Sequence, residues 1–544
     1  MSTIRQLPSE TLAEIFQWCL PLDVGFGVRS LGHAPLLLTI VCWDWRRIAI
    51  ETPRLWNSLH ICFPPNISTD IRSRRTAGME LWLQRSGSLP ISISIHGGSV
   101  SPFRYPRSPP TLQEQQFEGG NDMVPLMKSF LSFRDRLQNI HLALNKTDLI
   151  AFHGLLASPD SSFPSLRSFK LEDYKVGTGI LRGVQMGLNE DVEQRMRALL
   201  SQMPALQSLE IRKLKSRSDI QFRILHSRWD TLTNLSISTS LTPTDLFGII
   251  TKTRALQTLK VGIIVSALEH PFDVSALTPA TLLNLVSLQL NIQVNVPRNT
   301  NASSLSREEA DGERNRQLAC SMAITSRIVC PGLKRLHTSW PNIITPVAQI
   351  PILNFPMHAL ETLGLDILMT PEALVDCLSL VPNLTSLHFV DVGNVFRNQG
   401  TSTLQDAHLR ALTPSADNPF PLCPHLRHLF LIDHSSASVF SRSWSTHLLA
   451  EFITTRAKAN MLSSCDLFFL NPFSLSDEEL HTLRAAKQEA RLKLRLHDQG
   501  QVTRQKLEDG PMDGLAYRNP AGRSRRRLWD LLDDHVEFDT RAII

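Results

Sequence analysis

One pattern recurs along most of this chain and limits what it can fold into. Ten segments read L-x-x-L-x-L or a close variant. In order they are LQNIHL (Leu137–Leu142), LRSFKL (Leu166–Leu171), LQSLEI (Leu206–Ile211), LTNLSI (Leu232–Ile237), LQTLKV (Leu256–Val261), LVSLQL (Leu285–Leu290), LKRLHT (Leu333–Thr338), LETLGL (Leu360–Leu365), LTSLHF (Leu384–Phe389) and LRHLFL (Leu426–Leu431). Their starting positions differ by 29, 40, 26, 24, 29, 48, 27, 24 and 42. The end of each segment alternates apolar and polar residues, so it reads as a strand with one face in a core. Helical patterns lie between: NEDVEQRMRALLSQM (Asn189–Met203), TPTDLFGIITKT (Thr242–Thr253) and TPEALVDCLSLV (Thr370–Val381). The last two open Thr-Pro, an N-cap followed by proline at the first helical position. Each unit is therefore one strand and one helix, which cannot bury its leucines alone. Stacked copies share a continuous core, with parallel strands on a concave side and helices on the convex side.

The short spacings fit a leucine-rich repeat, whose period is about 20–29 residues, and the long ones fit the same unit with an inserted loop. The expected fold class is α/β, a solenoid over residues 122–497. Asn295–Gln317 is polar, charged and almost free of apolar residues, and reads as an unstructured surface insertion at 295–317. Near the end CDLFFL (Cys465–Leu470) and RLKLRL (Arg491–Leu496) read as further strands. The helix SDEELHTLRAAKQEA (Ser476–Ala490) between them opens with a capping box, Ser476 to Glu479. Residues 498–544 form a polar tail. In it Arg523, Arg525, Arg526 and Arg527 precede Leu528, Trp529, Leu531 and Leu532, which suits a nuclear-import signal, a docking peptide or a solvated helix cap.

A different pattern precedes the repeats. LPSETLAEIFQWCLP (Leu7–Pro21) carries Leu12, Ile15, Phe16 and Cys19 at helical spacing, with Pro8 at the first helical position and Pro21 as the stop. In APLLLTIVCWDWRRIAIETPRLWNSLHI (Ala34–Ile61), Leu37, Leu38, Val41, Trp45 and Ile48 predict one helix that Pro53 ends. About 50 residues bury little surface, so such a module gains stability by packing on a partner or on the rest of the chain. After it, Met79–Arg85 reads as a short helix and Leu89–Ile95 as an alternating strand. Gly97–Gly120, rich in Pro, Ser and Gly, reads as a loop or linker.

The N-terminal residues resemble the F-box. That pattern begins Leu-Pro, continues with a helix carrying Ile-Phe, and later shows Val-Cys-x-x-Trp-Arg. Here those pieces are Leu7-Pro8, Ile15-Phe16 and, in VCWDWR, Val41, Cys42, Trp45 and Arg46. TPRLWNSLHI (Thr52–Ile61) and ELWLQRSGSLPISISI (Glu80–Ile95) look like the large F-box family of mushroom-forming fungi. Asp23–His33 departs from the family as a Gly-containing insert between helices that are usually joined more tightly. The resemblance implies an all-helical F-box module over residues 1–62, a connecting region over 63–121, and leucine-rich repeats beyond. It further implies binding to a Skp-type adaptor, and through it to the cullin of an SCF-type ubiquitin ligase. Leu7, Pro8, Ile15, Phe16, Val41, Cys42, Trp45 and Arg46 would be the adaptor-facing or module-core set, and the repeats would hold a target protein. The alternative is a repeat scaffold, unrelated to ubiquitin, whose N-terminal helices cap the solenoid.

Composition narrows the classes further. No run of about 18 apolar residues suggests a membrane span, and the N-terminus lacks an apolar signal core. The 8 cysteines are scattered without C-x-x-C, so a reduced compartment, cytoplasm or nucleus, is expected. A net charge of +5 is mild for 544 residues and does not point to nucleic acid. No phosphate-binding, zinc-protease or nucleophile-elbow motif is present, so no enzyme, cofactor or metal is expected.

Binding is expected on the outward positions of the strands. These are Asn139/His141, Ser168/Lys170, Ser208/Glu210, Asn234/Ser236, Thr258/Lys260, Ser287/Gln289, Arg335/His337, Thr362/Gly364, Ser386/His388 and His428/Phe430. The later pairs offer Arg, His and Phe, and Arg and aromatics carry the most contact energy at protein interfaces. Arg335, His337, His388, His428 and Phe430 are thus the expected target-binding residues. His388 and His428 are expected as neighbours across about 4.8 Å of sheet, although no carboxylate or cysteine completes a metal site with them.

Overall fold

In the computed structural model, the structure describes residues 7–20, 26–63, 68–97, 123–144, 146–156, 162–173, 200–212, 229–266, 277–295, 307–340, 346–349, 355–391, 403–416, 418–433, 444–469 and 475–498. The chain is mixed α/β and divides into two compact units, the first running to Thr239 and the second starting at Ser240. Most of the helix expected at Asn189–Met203, most of the linker Gly97–Gly120 and the basic tail lie outside the described residues.

In the first unit, α1 (Ser9–Trp18), α2 (Leu38–Val41) and α3 (Trp43–Glu51) precede a sheet of parallel strands. The strands are β1 (Ser58–Phe63), β2 (Ile91–Gly97), β3 (Leu137–Leu144), β4 (Ser168–Asp173), β5 (Ser208–Arg212) and β6 (Asn234–Leu241), which begins in this unit. They lie side by side in chain order. Register follows the leucine pattern: Leu59, Ile93, Ile140, Phe169, Leu209 and Leu235 face one another across the ladder, and all are buried. This is the expected sheet, but it starts two strands before the first L-x-x-L-x-L. The segments SLHICF and ISISIHG lack the leading Leu-x-x. They keep the period-2 alternation, and the alternation sets the face.

Within the region expected as a connection, the strand expected at Leu89–Ile95 is β2 and joins the sheet, and the helix expected at Met79–Arg85 is longer, α4 (Thr69–Arg85). Ser68 starts that helix early by accepting a hydrogen bond from the Ile71 amide. Two further corrections fall in the N-terminal module. Pro8 is the N-cap of α1, with an extended ψ of 148°, and not its first helical residue. The single helix expected after Ala34 is two, because Cys42 is fully extended (φ −159°, ψ 172°). Its Sγ accepts from the Trp45 amide, so Cys42 caps α3 where continuous helix was expected.

The second unit holds β7 (Thr258–Ser266), β9 (Ser287–Asn295), β11 (Arg335–Ser339), β12 (Thr362–Asp366), β13 (Ser386–Asp391), β14 (His428–Asp433), β15 (Ser464–Phe469) and β16 (Lys493–Asp498). These too are parallel and adjacent in chain order. A separate ladder pairs the two-residue strands β8 (Ala280–Thr281) and β10 (Ile328–Val329). The expected caps form. Thr242 accepts from the Asp245 amide, Thr370 from the Ala373 amide, and Ser476 and Glu479 make a reciprocal capping box. The stretch expected as an unstructured insertion is partly helical: Arg307–Ser326 is one helix of 20 residues. Its C-terminal half is anchored by buried Ser321, Ile324 and Thr325. Once a nucleus is anchored, each added residue gains a backbone hydrogen bond, so the polar half can propagate from it.

Arg456 is the unusual core residue of this unit. It is completely buried on the helix Thr446–Lys458 and donates to four backbone carbonyls. Nε reaches Leu412 O at 2.7 Å, Nη2 reaches Leu422 O at 2.7 Å and Cys423 O at 3.1 Å, and Nη1 reaches Leu426 O at 3.5 Å. Burial lowers its pKa to about 10. The guanidinium satisfies the carbonyls of a turn in which Cys423 has a positive φ of 49°.

Candidate functional site

The N-terminal module sorts its residues into a core and a face. Phe16 is fully buried, and its ring meets that of Trp45 at 4.9 Å. Leu12, Leu38 and Ile48 are buried with it. Outside lie Leu7 (37 % exposed), Ile15 (43 %), Val41 (53 %), Trp43 (72 %) and Trp18 (82 %). Pro8, Cys42 and Arg46 are exposed too, and Trp45 is half-buried. Of the eight residues singled out by sequence, Phe16 and Trp45 build the module, while Leu7, Pro8, Ile15, Val41 and Cys42 lie on its surface. Arg46 reaches back to the Thr39 carbonyl, linking α3 to α2.

The same module closes the first edge of the sheet. Val28 makes a parallel bridge to His60, and the His60 amide donates to Gly27 O at 2.7 Å. A Cβ on Gly27 would stand 2.7 Å from Ser58 O, so only glycine lets the two backbones approach this closely. Trp56 joins module to sheet: it is fully buried, donates from Nε1 to Ala49 O at 2.7 Å, and meets the Trp82 ring edge-on at 4.9 Å. Part of the insert Asp23–His33 thus protects a strand edge that would otherwise present unpaired backbone groups.

On the polar face of the first unit, β1 to β5 carry a charged and imidazole cluster. Glu172 on β4 lies 3.2 Å from Lys170, 3.6 Å from Arg212 and 3.7 Å from His141 Nε2. Glu210 bonds Arg212 and lies 3.7 Å from Lys170. Burial raises the Glu172 pKa, but the His141 contact and the two cations outweigh it and hold the carboxyl well below the usual range. Behind them, His60 Nδ1 meets Ser94 Oγ at 2.9 Å, and the same hydroxyl meets His141 Nδ1 at 3.3 Å. The His96 ring lies 5.5 Å from His60 and 5.7 Å from His141. Burial, followed by repulsion from His141, lowers the His60 pKa to about 4 and that of His96 to about 3. Among the described residues, His96, His141 and Glu172 form a group whose ligand atoms all lie within 4.8 Å of one another. Lys170, Glu210 and His141 were visible as outward positions. His60 and His96 were not, because their strands lack the leucine signature; strict alternation in SLHICF and ISISIHG was the available signal.

On the second unit the expected target-binding residues fall in two adjacent rows. Arg335, Thr362, Ser386, His428 and Ser464 align in one, and His337, Gly364, His388, Phe430 and Asp466 in the other. Arg335 and His428 are exposed, and His337 and His388 are half-buried. Phe430 is buried among Val390, Ile432 and Phe468, because here the outward face is itself locally apolar. The rings form a continuous stripe: His337 to His388 at 5.4 Å, His388 to Phe430 at 5.5 Å and Phe430 to Phe468 at 5.1 Å. The pair His388 and His428 is staggered by one row and not directly opposed. Each imidazole turns to a serine, His388 Nε2 to Ser386 at 3.0 Å and His428 Nδ1 to Ser464 at 2.8 Å.

No family model matches the chain, and no curated protein matches it. No helix among the described residues is long and apolar enough to cross a membrane.

Proposed function

We propose that this chain is the substrate-recognition subunit of an SCF-type cullin-RING ubiquitin ligase. Its N-terminal F-box-like module docks on a Skp-type adaptor, and its leucine-rich-repeat sheet holds the target protein. The observation that carries this reading is that Leu7, Ile15, Trp18, Val41 and Trp43 are all exposed on a small module whose core is closed by Phe16 and Trp45. Five large apolar side chains left in water on so small a module suit a surface that a partner covers. The Leu-Pro and Val-Cys-x-x-Trp-Arg pieces of the resemblance say what covers it. In this reading the chain performs no bond chemistry. It holds a target lysine near a charged ubiquitin carrier, so that an encounter becomes effectively intramolecular.

A second reading, a repeat scaffold whose helices are only a cap, is favoured by the Val28–His60 bridge at the sheet edge. The two readings rest on different residues of the module, so one experiment separates them. The full chain is co-expressed with a Skp-type adaptor and co-purified. A stoichiometric complex that is lost in L7A/P8A supports the receptor reading. A folded full chain that never retains the adaptor leaves the cap.

A further inference from the structure

We propose that His96, His141 and Glu172, on the polar face of β2, β3 and β4, form a binding site for a divalent transition-metal ion of the zinc class. Two imidazoles and one carboxylate are a standard three-residue ligand set for such ions, leaving a fourth position for water or for a donor from a bound molecule.

The geometry supports this in two ways. First, the three ligand atoms already lie within 4.8 Å of one another. Ligands of one tetrahedral zinc, each about 2.0–2.2 Å from the ion, stand roughly 3.3–3.5 Å apart. His141 Nε2 and Glu172 Oε1, 3.7 Å apart, are too far for a good hydrogen bond and close to that ligand spacing. Second, His141 is oriented from behind. Its Nδ1 is held by Ser94 Oγ, which is itself fixed by His60 Nδ1. A hydrogen bond on one ring nitrogen sets the direction in which the other presents its lone pair.

Lys170 and Arg212 compete for Glu172, but neither depends on it alone. Both also pair with Glu210, which can retain the two cations when Glu172 turns to an ion. The site rests on the first unit alone and does not depend on the adaptor reading.

The test is calorimetric titration of metal-depleted full-length protein with Zn2+ near neutral pH, repeated on H141A and on E172Q. The expected result is one ion per chain, with affinity falling at least tenfold in each variant. Unchanged affinity in both variants, or no binding by the wild-type chain, overturns the proposal. Should either variant fail to fold, anomalous scattering from crystals of the wild-type chain grown with Zn2+ decides. An ion between His96, His141 and Glu172 supports the site. An ion only on the exposed thiols Cys19 and Cys42, or none at all, overturns it.

Discussion

The imidazole of His337 lies across the backbone of Gly364 on the neighbouring strand, where a Cβ on Gly364 would stand 2.0 Å from Nδ1. The missing side chain is what lets His337 reach over one strand and meet His388 on the next. G364A should therefore displace the His337 ring. The ring is the end of a side chain that can turn away, so the cost in stability should be small, about 1 kcal/mol. A double-mutant cycle in urea checks this: in an H337A background, G364A should cost close to nothing. Equal costs in both backgrounds would count against the ring being what excludes a side chain.

Arg456 gives a much larger expected effect. Replacing it with leucine leaves the carbonyls of Leu412, Leu422 and Cys423 without their donors. Each buried polar group left unmade costs about 1–3 kcal/mol, so R456L should destabilise the second unit by roughly 3–5 kcal/mol. R456K retains the charge but not the fork and should recover only part of this. Urea midpoints of the three proteins provide the comparison.

The low pKa values of His60 and His96 make a signed prediction about acid. In the unfolded chain both titrate near the ordinary 6.5, and in the folded chain only near about 4 and about 3. Below pH 6.5 the unfolded state binds more protons, so stability falls as pH falls, until each folded-state value is passed. Each histidine contributes a slope of up to about 1.4 kcal/mol per pH unit in that window. Glu172 adds its own loss only further down, below the ordinary carboxylate range. In metal-depleted protein, H96Q should therefore reduce the slope of unfolding free energy between pH 6 and 4.5 by about 1.4 kcal/mol per unit. An unaltered slope would mean that His96 takes up its proton without unfolding.

The leucines made the ladder legible, and the gaps have physical causes. Each of the ten L-x-x-L-x-L segments supplies a strand, and their register follows the alternation, because a slip of one residue would turn every leucine into water. β1 and β2 follow the same rule with serine, isoleucine and histidine; the alternation marked β2 as a strand, but a search for leucines left both out of the ladder and passed over two of the clustered imidazoles. The third and fifth positions do face outward, yet outward did not mean exposed at Phe430, because Val390, Ile432 and Phe468 surround it. Such neighbours come from other repeats and meet only in the sheet. Nor could spacing alone reveal the break at Cys42, since the apolar period runs through it; the thiol accepting from the Trp45 amide decides the local geometry.

Ile15 and Phe16 are adjacent in sequence and opposite in role, which makes the adaptor proposal sharply testable. Phe16 is fully buried against Trp45, so F16A removes core packing and should cost about 3–5 kcal/mol. In a module of three short helices that is enough to weaken adaptor binding by unfolding. Ile15 is 43 % exposed, so I15D should shift stability by no more than about 0.5 kcal/mol. It would nonetheless place a charge at one of the exposed apolar positions that the adaptor reading assigns to the contact, with Leu7 and Val41. Burying an unpaired carboxylate in an interface costs several kcal/mol, so adaptor affinity should fall at least a hundredfold while the melting curve stays in place. V41D, at a second exposed apolar position, should behave in the same way. Thermal melts and adaptor pull-downs on I15D, V41D and F16A separate the two roles. Full adaptor binding by both I15D and V41D would move the contact elsewhere and return these helices to the role of a cap.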